Sequence, residues 1–198
     1  SGSGTWSVPS GIDSAEILIV GGGASGTKSQ NVGSGGGGAG GIVYTSSYTF
    51  TSTDKSSGIA YSVGAGGDGV GMSPYAYDGG FNNGEDTTFA ISGGTITAKG
   101  GGGGGGYGGN SPHYQGNSVT PAFSQSYFAA AAGGSGGGGA WNDLTGASSN
   151  QGTFSGWTSY GNAGGTFNTA GSGGYSGAGG GGAGGAGGGS TRNTAGAG

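Results

Sequence analysis

The sequence predicts an all-β fold: a short-strand, sandwich-like part merging into stacked left-handed polyglycine helices, with essentially no α-helix. Three observations lead there. Glycine fills 62 of 198 positions, in unbroken runs such as Gly100–Gly106. Apolar segments alternate with a period of two, the spacing of a strand with one buried face. These segments also empty directly into glycine runs again and again, where a random linker would have no reason to sit.

Taken in order, Thr5–Val8 alternates and Pro9-Ser10-Gly11 reads as a turn. Ala15–Val20 is a β-rich run entering Gly21-Gly22-Gly23. Ile42-Val43-Tyr44, Tyr48–Thr51 and Ile59–Val63 follow as short strands. Thr87–Ile91 and Thr95–Ala98 flank Ser92-Gly93-Gly94 at hairpin spacing, and the second feeds the seven-glycine run. Trp6, Ile17, Ile19, Phe50 and Phe89 occupy the alternating positions and are expected in the core. Residues 1–99 form this short-strand part. Residues 100–198 form a polyglycine stack continuous with it, carrying two long loops, Asn110–Ala132 and Ala140–Ala163.

Other glycine-rich architectures fail on spacing. Collagen needs glycine at every third position and abundant proline, whereas these runs have no such period and the chain has 4 prolines. Helix is disfavoured because interior glycine costs about 1 kcal/mol relative to alanine and no apolar 3.6-residue period occurs. Ala129–Ala132 alone is helix-friendly, and it is too short to nucleate. Polyglycine orders only if its bare backbone is satisfied by neighbours. In the extended threefold helix the N–H and C=O groups point outward, so rods bond side by side where nothing bulkier than glycine or alanine intervenes. Gly100, Gly101, Gly102, Gly103, Gly104, Gly105 and Gly106 are the expected scaffold, a rod of roughly 3.1 Å per residue.

Composition removes several functions. Charged residues make up 6% and the net charge is −4, with Lys28, Lys55, Lys99 and Arg192 the only basic side chains. That is no footprint for a phosphate backbone, so nucleic acid is not an expected partner. The longest apolar run, Ile17–Val20, is far short of the ~20 residues of a membrane span. Ser1–Gly4 lacks the features of a signal peptide and reads as an added tag or a processed end. Without cysteine there is no disulfide or thiolate zinc site.

Catalytic signals are equally thin. The single histidine, His113, has no local partner set for nucleophilic catalysis. Glu85 and Asp86 are adjacent and would face opposite ways on a strand, unsuited to paired-carboxylate glycosidase chemistry. Asp68, Asp78, Glu85 and Asp86 form an oxygen-rich segment of a kind calcium accepts, but Gly66–Gly71 lacks the aspartate of the calcium-binding nonapeptide. Phosphate-loop patterns carry no information in so much glycine, and no Gly-Lys-Ser/Thr occurs. No enzyme activity, metal or cofactor is expected.

The loop aromatics remain. Tyr75, Tyr77, Phe81, Tyr107, Tyr114, Phe123, Tyr127, Phe128, Trp141, Trp157 and Tyr160 lie outside the alternating strands. Tyr and Trp give contact area at low entropic cost, so they fit a binding surface; equally, they fit a seal over the glycine stack.

Thr5-Trp6-Ser7-Val8-Pro9-Ser10-Gly11-Ile12, followed by Ala15–Val20 and Gly21-Gly22-Gly23, resembles the opening of the glycine-rich domain of bacteriophage tail-fibre and tail-tip adhesin proteins. Gly35–Gly41 into Ile42-Val43, Tyr61–Gly67, Thr88-Phe89 and Thr97–Gly101 continue the resemblance, which covers residues 5–109; beyond them it is one of alternating glycine runs. It implies a non-enzymatic protein of the virion tail, outside the cell. Loops would adhere to a bacterial outer-membrane protein or surface glycan, with Tyr107, His113, Tyr114, Phe123, Tyr127, Phe128, Trp141, Trp157 and Tyr160 as receptor-contact candidates. Other tail-fibre or virion subunits are implied partners, in a homotrimer or around a monomeric tip. The alternative is a purely structural subunit or decoration protein of a virion or extracellular fibre. Ice binding by a flat polyglycine array would call for short regular repeats, which the long irregular loops oppose.

Overall fold

A computed structural model describes residues 1–27, 33–69, 80–108, 113–115, 118–120, 126–140, 145–168, 176–191 and 194–198. The protein is all-β. The first seven strands are β1 (Gly2–Trp6), β2 (Ser14–Val20), β3 (Ile42–Thr49), β4 (Ile59–Val63), β5 (Gly80–Phe81), β6 (Thr87–Ile91) and β7 (Gly94–Ala98). After Lys99 come β8 (Gly106–Gly108), β9 (His113–Gln115), β10 (Ser118–Thr120), β11 (Ser126–Phe128) and β12 (Thr158–Tyr160). One sheet has the order β1-β4-β6-β7 and a second β12-β3-β2, all antiparallel. Two small sheets, β10-β9-β5 and β11-β8, complete the set.

The two larger sheets pack as a sandwich. Ile19 of β2, Val43 of β3, and Ile96 and Ala98 of β7 are buried between them, with Ile17, Phe89, Ile91, Phe154 and Trp157 packed around. Apolar area removed from water stabilises by roughly 25 cal/mol per Å2, and this cluster adds to the buried Phe50, Ile59, Phe81 and Phe167 outside it. Ile19 and Phe50 are buried as the alternation predicts, and Ile17 and Phe89 pack against the core. Trp6 is different: it is 36% exposed on edge strand β1, its ring tilted against Phe50 at 5.5 Å. Alternation assigns a residue to a face, but at this sheet edge the cover over the ring, on the side that meets Phe50, is partial. Gly2–Gly4, read as an added segment, pairs with Tyr61–Val63 as part of β1.

The one helix among the described residues, α1 (Ser52–Ser57), was not expected from the sequence. Its signal is nonetheless present, because Thr51-x-x-Asp54 closes a capping box. Gly58 ends it at φ 72°, a left-handed conformation that costs glycine nothing. Asp54 is buried and accepts from Thr51 N (2.9 Å), Thr51 Oγ1 (2.8 Å), Tyr48 OH (2.9 Å) and Ser92 N (2.8 Å). One carboxylate thus ties β3, α1 and the β6–β7 turn together.

Beyond the sandwich the chain continues as extended glycine rods. Residues 99–106 set the pattern. Gly101 and Gly104 donate to the carbonyls of Gly22 and Ser25, while Gly102 and Gly105 donate to those of Ser135 and Gly138. Gly100 and Gly103 donate instead to the side chains of Asp86 and Asn83, both at 2.9 Å. Acceptors repeat likewise: the carbonyls of Lys99, Gly102 and Gly105 receive Gly41, Gly38 and Gly35. The bonding partner changes with every residue and returns every third one.

Close approach explains the composition. A methyl group added at Gly102 would fall on the Ala131 carbonyl, at Gly104 on that of Gly35, at Gly137 on that of Gly103, and at Gly103 on the Phe81 ring. Phe81 is accordingly a buried cover for the stack.

Candidate functional site

Rod direction gives the molecule two different ends. Residues 21–27 run away from β2, and 35–41 return antiparallel to them, with Gly21, Ala24 and Thr27 donating to Gly41, Gly38 and Gly35. The same out-and-back pairing joins 64–69 to 82–86, 100–108 to 126–131, and 134–140 to 145–150. It also joins 161–168 to 176–183 and 186–191 to 194–197. Every connection leaving a rod after residues 27, 69, 108, 140, 168 and 191 therefore starts and finishes at the end remote from the sandwich. At the opposite end the rods join strands or turn back on themselves, as at Gly182, which donates to Gly185.

This polarity sorts the sequence-predicted contact residues. Tyr107 (β8), His113 and Tyr114 (β9), and Tyr127 and Phe128 (β11) lie on short strands of the excursion at the remote end. In backbone register Tyr127 pairs with Tyr107. Phe123 and Trp141, like Tyr75 and Tyr77, lie outside the described residues. Trp157 and Tyr160 sit at the sandwich end. Trp157 packs on the core beside Tyr48, ring centroids 5.9 Å apart, and Tyr160 pairs with Ile42 while 45% exposed. The two stretches expected as loops, 110–132 and 140–163, are not continuous loops. The first contains β9, β10 and β11; the second contains a rod at 145–150 and strand β12. These strands are three residues each, too short for alternation to mark them; β9 and β10 pair with each other, while β11 and β12 pair with β8 and β3.

The polar side chains around the rods are occupied with the backbone. Glu85 accepts from Ala65 N (3.0 Å), and Asp86 holds Gly100 N while pairing with Lys99 at 2.7 Å. Two of the four carboxylates of the oxygen-rich segment, Glu85 and Asp86, are thus used on backbone donors. Asp68 contributes only its carbonyl here, to Asn82 Nδ2 (2.8 Å), and Asp78 lies outside the described residues. Among the described residues no group of three or more histidine or acidic side chains is placed to hold a metal ion. No helix of the described residues is long and apolar enough to cross a membrane.

Gln151 is a residue that the sequence did not single out. Its Oε1 accepts from Lys99 N (2.8 Å) and its Nε2 donates to Thr97 O (3.0 Å), bridging the last residues of β7 to the start of the 99–106 rod. Replacing Gln151 by alanine leaves the partly buried Lys99 N–H without its acceptor. The expected cost is about 2 kcal/mol, read as a lowered urea midpoint at unchanged slope.

A strand sandwich continued by close-packed, backbone-bonded glycine segments is an all-β glycine-rich domain. The chain matches the glycine-rich domain family over residues 1–198, and it belongs to that family. A comparison with curated proteins gave no match, and one with solved structures gave none.

Proposed function

We propose that this chain is a non-enzymatic tail-fibre or tail-tip protein of a bacteriophage, whose rods are left-handed polyglycine helices. Connections at the remote end adhere to a bacterial outer-membrane protein or surface glycan. The observation that carries this reading is the polarity of the rods. A stack held by backbone bonds is stiff, and the described residues at which the chain leaves its rods, 27, 69, 108, 140, 168 and 191, lie at one end. The opening Thr5–Ile12 motif, with its resemblance to phage tail proteins, supplies the context. Many copies on one particle would raise weak single contacts to useful avidity.

The test is binding of purified protein to host cells, with Tyr114, Tyr127 and Trp141 changed together to alanine. Adhesion predicts at least about a tenfold loss of binding, equivalent to ~1.4 kcal/mol, with the melting temperature unchanged. Tyr160→Ala, at the opposite end, is expected to bind as the parent does. A chain that assembles into fibres and ignores cells points instead to the structural-subunit reading.

A further inference from the structure

The two sheets of the sandwich are unequal, and the mismatch leaves a seat. The larger sheet runs β1-β4-β6-β7, whereas the smaller, β12-β3-β2, ends at β2. Strand β2 packs over β6 and β7, and the C-terminal half of β4 beyond its edge is left partly open, at Tyr61 and Val63. On the inner face Tyr61 pairs with Phe89, which pairs with the core residue Ile96. Tyr61 and Val63 should therefore be as buried as Phe89, yet they are 38% and 47% exposed. Between them and the free edge of β2 runs a groove of about 330 Å3, lined by Ile17–Val20, Tyr61, Val63 and Thr87–Phe89.

We infer that this groove accepts one extended strand from another polypeptide, which pairs with the free edge of β2 and completes the smaller sheet over β4. The edge dictates the backbone of the occupant: alternate residues of an edge strand turn unpaired N–H and C=O groups outward, a template for a further strand. The β-bulge between Ala15 and Ile17 leaves the regular register at Ile17–Val20, the stretch lining the groove. The floor dictates the side chains. No charged group lines the groove, so the occupant carries uncharged apolar residues at every second position. Area decides against a second copy meeting it face to face. Leu18, Val20, Tyr61 and Val63 together expose on the order of 300 Å2, against roughly 800 Å2 per partner in a stable dimer. A single strand needs no more. The inference does not depend on the phage reading.

The experiment titrates the intact protein into a fluorescent, end-capped Thr-Val-Thr-Val-Thr-Val-Thr peptide, followed by anisotropy. The expected result is saturable binding, weakened at least about tenfold by Val63→Lys with circular dichroism and melting temperature unchanged. Two further peptides, N-methylated on one or the other alternate set of residues, probe the backbone ladder on the unaltered protein; one is expected to lose binding and the other to keep it. No binding, or binding indifferent to both methylations, overturns the inference. So does concentration-dependent self-association in sedimentation that Val63→Lys abolishes, since the occupant is then a second copy. Should Val63→Lys fail to fold, the methylated pair decides alone.

Discussion

Gly102→Val is expected to leave the protein without a cooperative unfolding transition. Gly102 is buried, donates to Ser135 O at 2.9 Å and receives Gly38 N at 2.7 Å. Any Cβ there falls on the Ala131 carbonyl. That obstacle is backbone, which has no rotamer to escape into, so two rods must separate. Each separated bond then leaves a buried donor or acceptor unsatisfied at about 1–3 kcal/mol. A few such losses equal the whole stability of a domain, about 5–15 kcal/mol. Gly102→Ala meets the same carbonyl and is expected to cost on the order of 3 kcal/mol or more. Gly23→Ala and Gly152→Ala are the controls, since a Cβ at either position meets nothing within 4 Å. They are expected to be neutral or stabilising by up to about 1 kcal/mol, through the unfolded chain. Urea titrations of the four variants decide it; if Gly102→Ala matched the controls, the rods would not be close-packed.

The second large effect lies at Asp54. Burial alone pushes its carboxyl up, but the bonds from Thr51, Ser92 and Tyr48 outweigh that and hold it below the ordinary 3.8. The folded state therefore binds this proton less readily than the unfolded state. The resulting stability is fully present above the unfolded value and is lost as pH falls through the lower folded value. Asp54→Ala removes the acceptor from Thr51 N and Ser92 N together and is expected to cost about 3 kcal/mol at pH 7. Asp54→Asn places an amide where donors converge and should cost nearly as much. The pH dependence separates this from loss of packing. Between pH 7 and pH 3 the parent should lose more stability than either variant, so the gap narrows in acid. A gap unchanged at pH 3 would show that the charge contributes nothing.

How much of this was legible depended on the range of the forces involved. β4 and β6 were readable to the residue, because alternation and a following glycine run or turn mark both ends locally. The close approach of other backbone to 100–106 has a local mark as well, since seven consecutive residues there carry no side chain. Helix α1 carries a local mark in its Thr51–Asp54 box, but at six residues between two strands it has no apolar period to accompany it. Trp6 misled because burial depends on how far the opposite sheet extends. The contact candidates were divided by the sense in which each rod runs, a property of the assembled stack. Trp157 and Tyr160 resemble Tyr114 and Tyr127 in their local sequence, yet they sit at opposite ends.

The threefold repeat of bonding partners also constrains how such a chain can change length. In the proposed polyglycine helix, inserting one residue into 99–106 turns everything beyond it by a third of a revolution, so donors that met 22–25 would face 135–138. Inserting three into such a helix restores every partner and lengthens the rod by about 9.3 Å. The neighbouring rods must gain the same turn, or the added backbone has nothing to bond. Length variants of this scaffold should therefore differ by multiples of three, in several rods at once, while the connections at the remote end vary by any number.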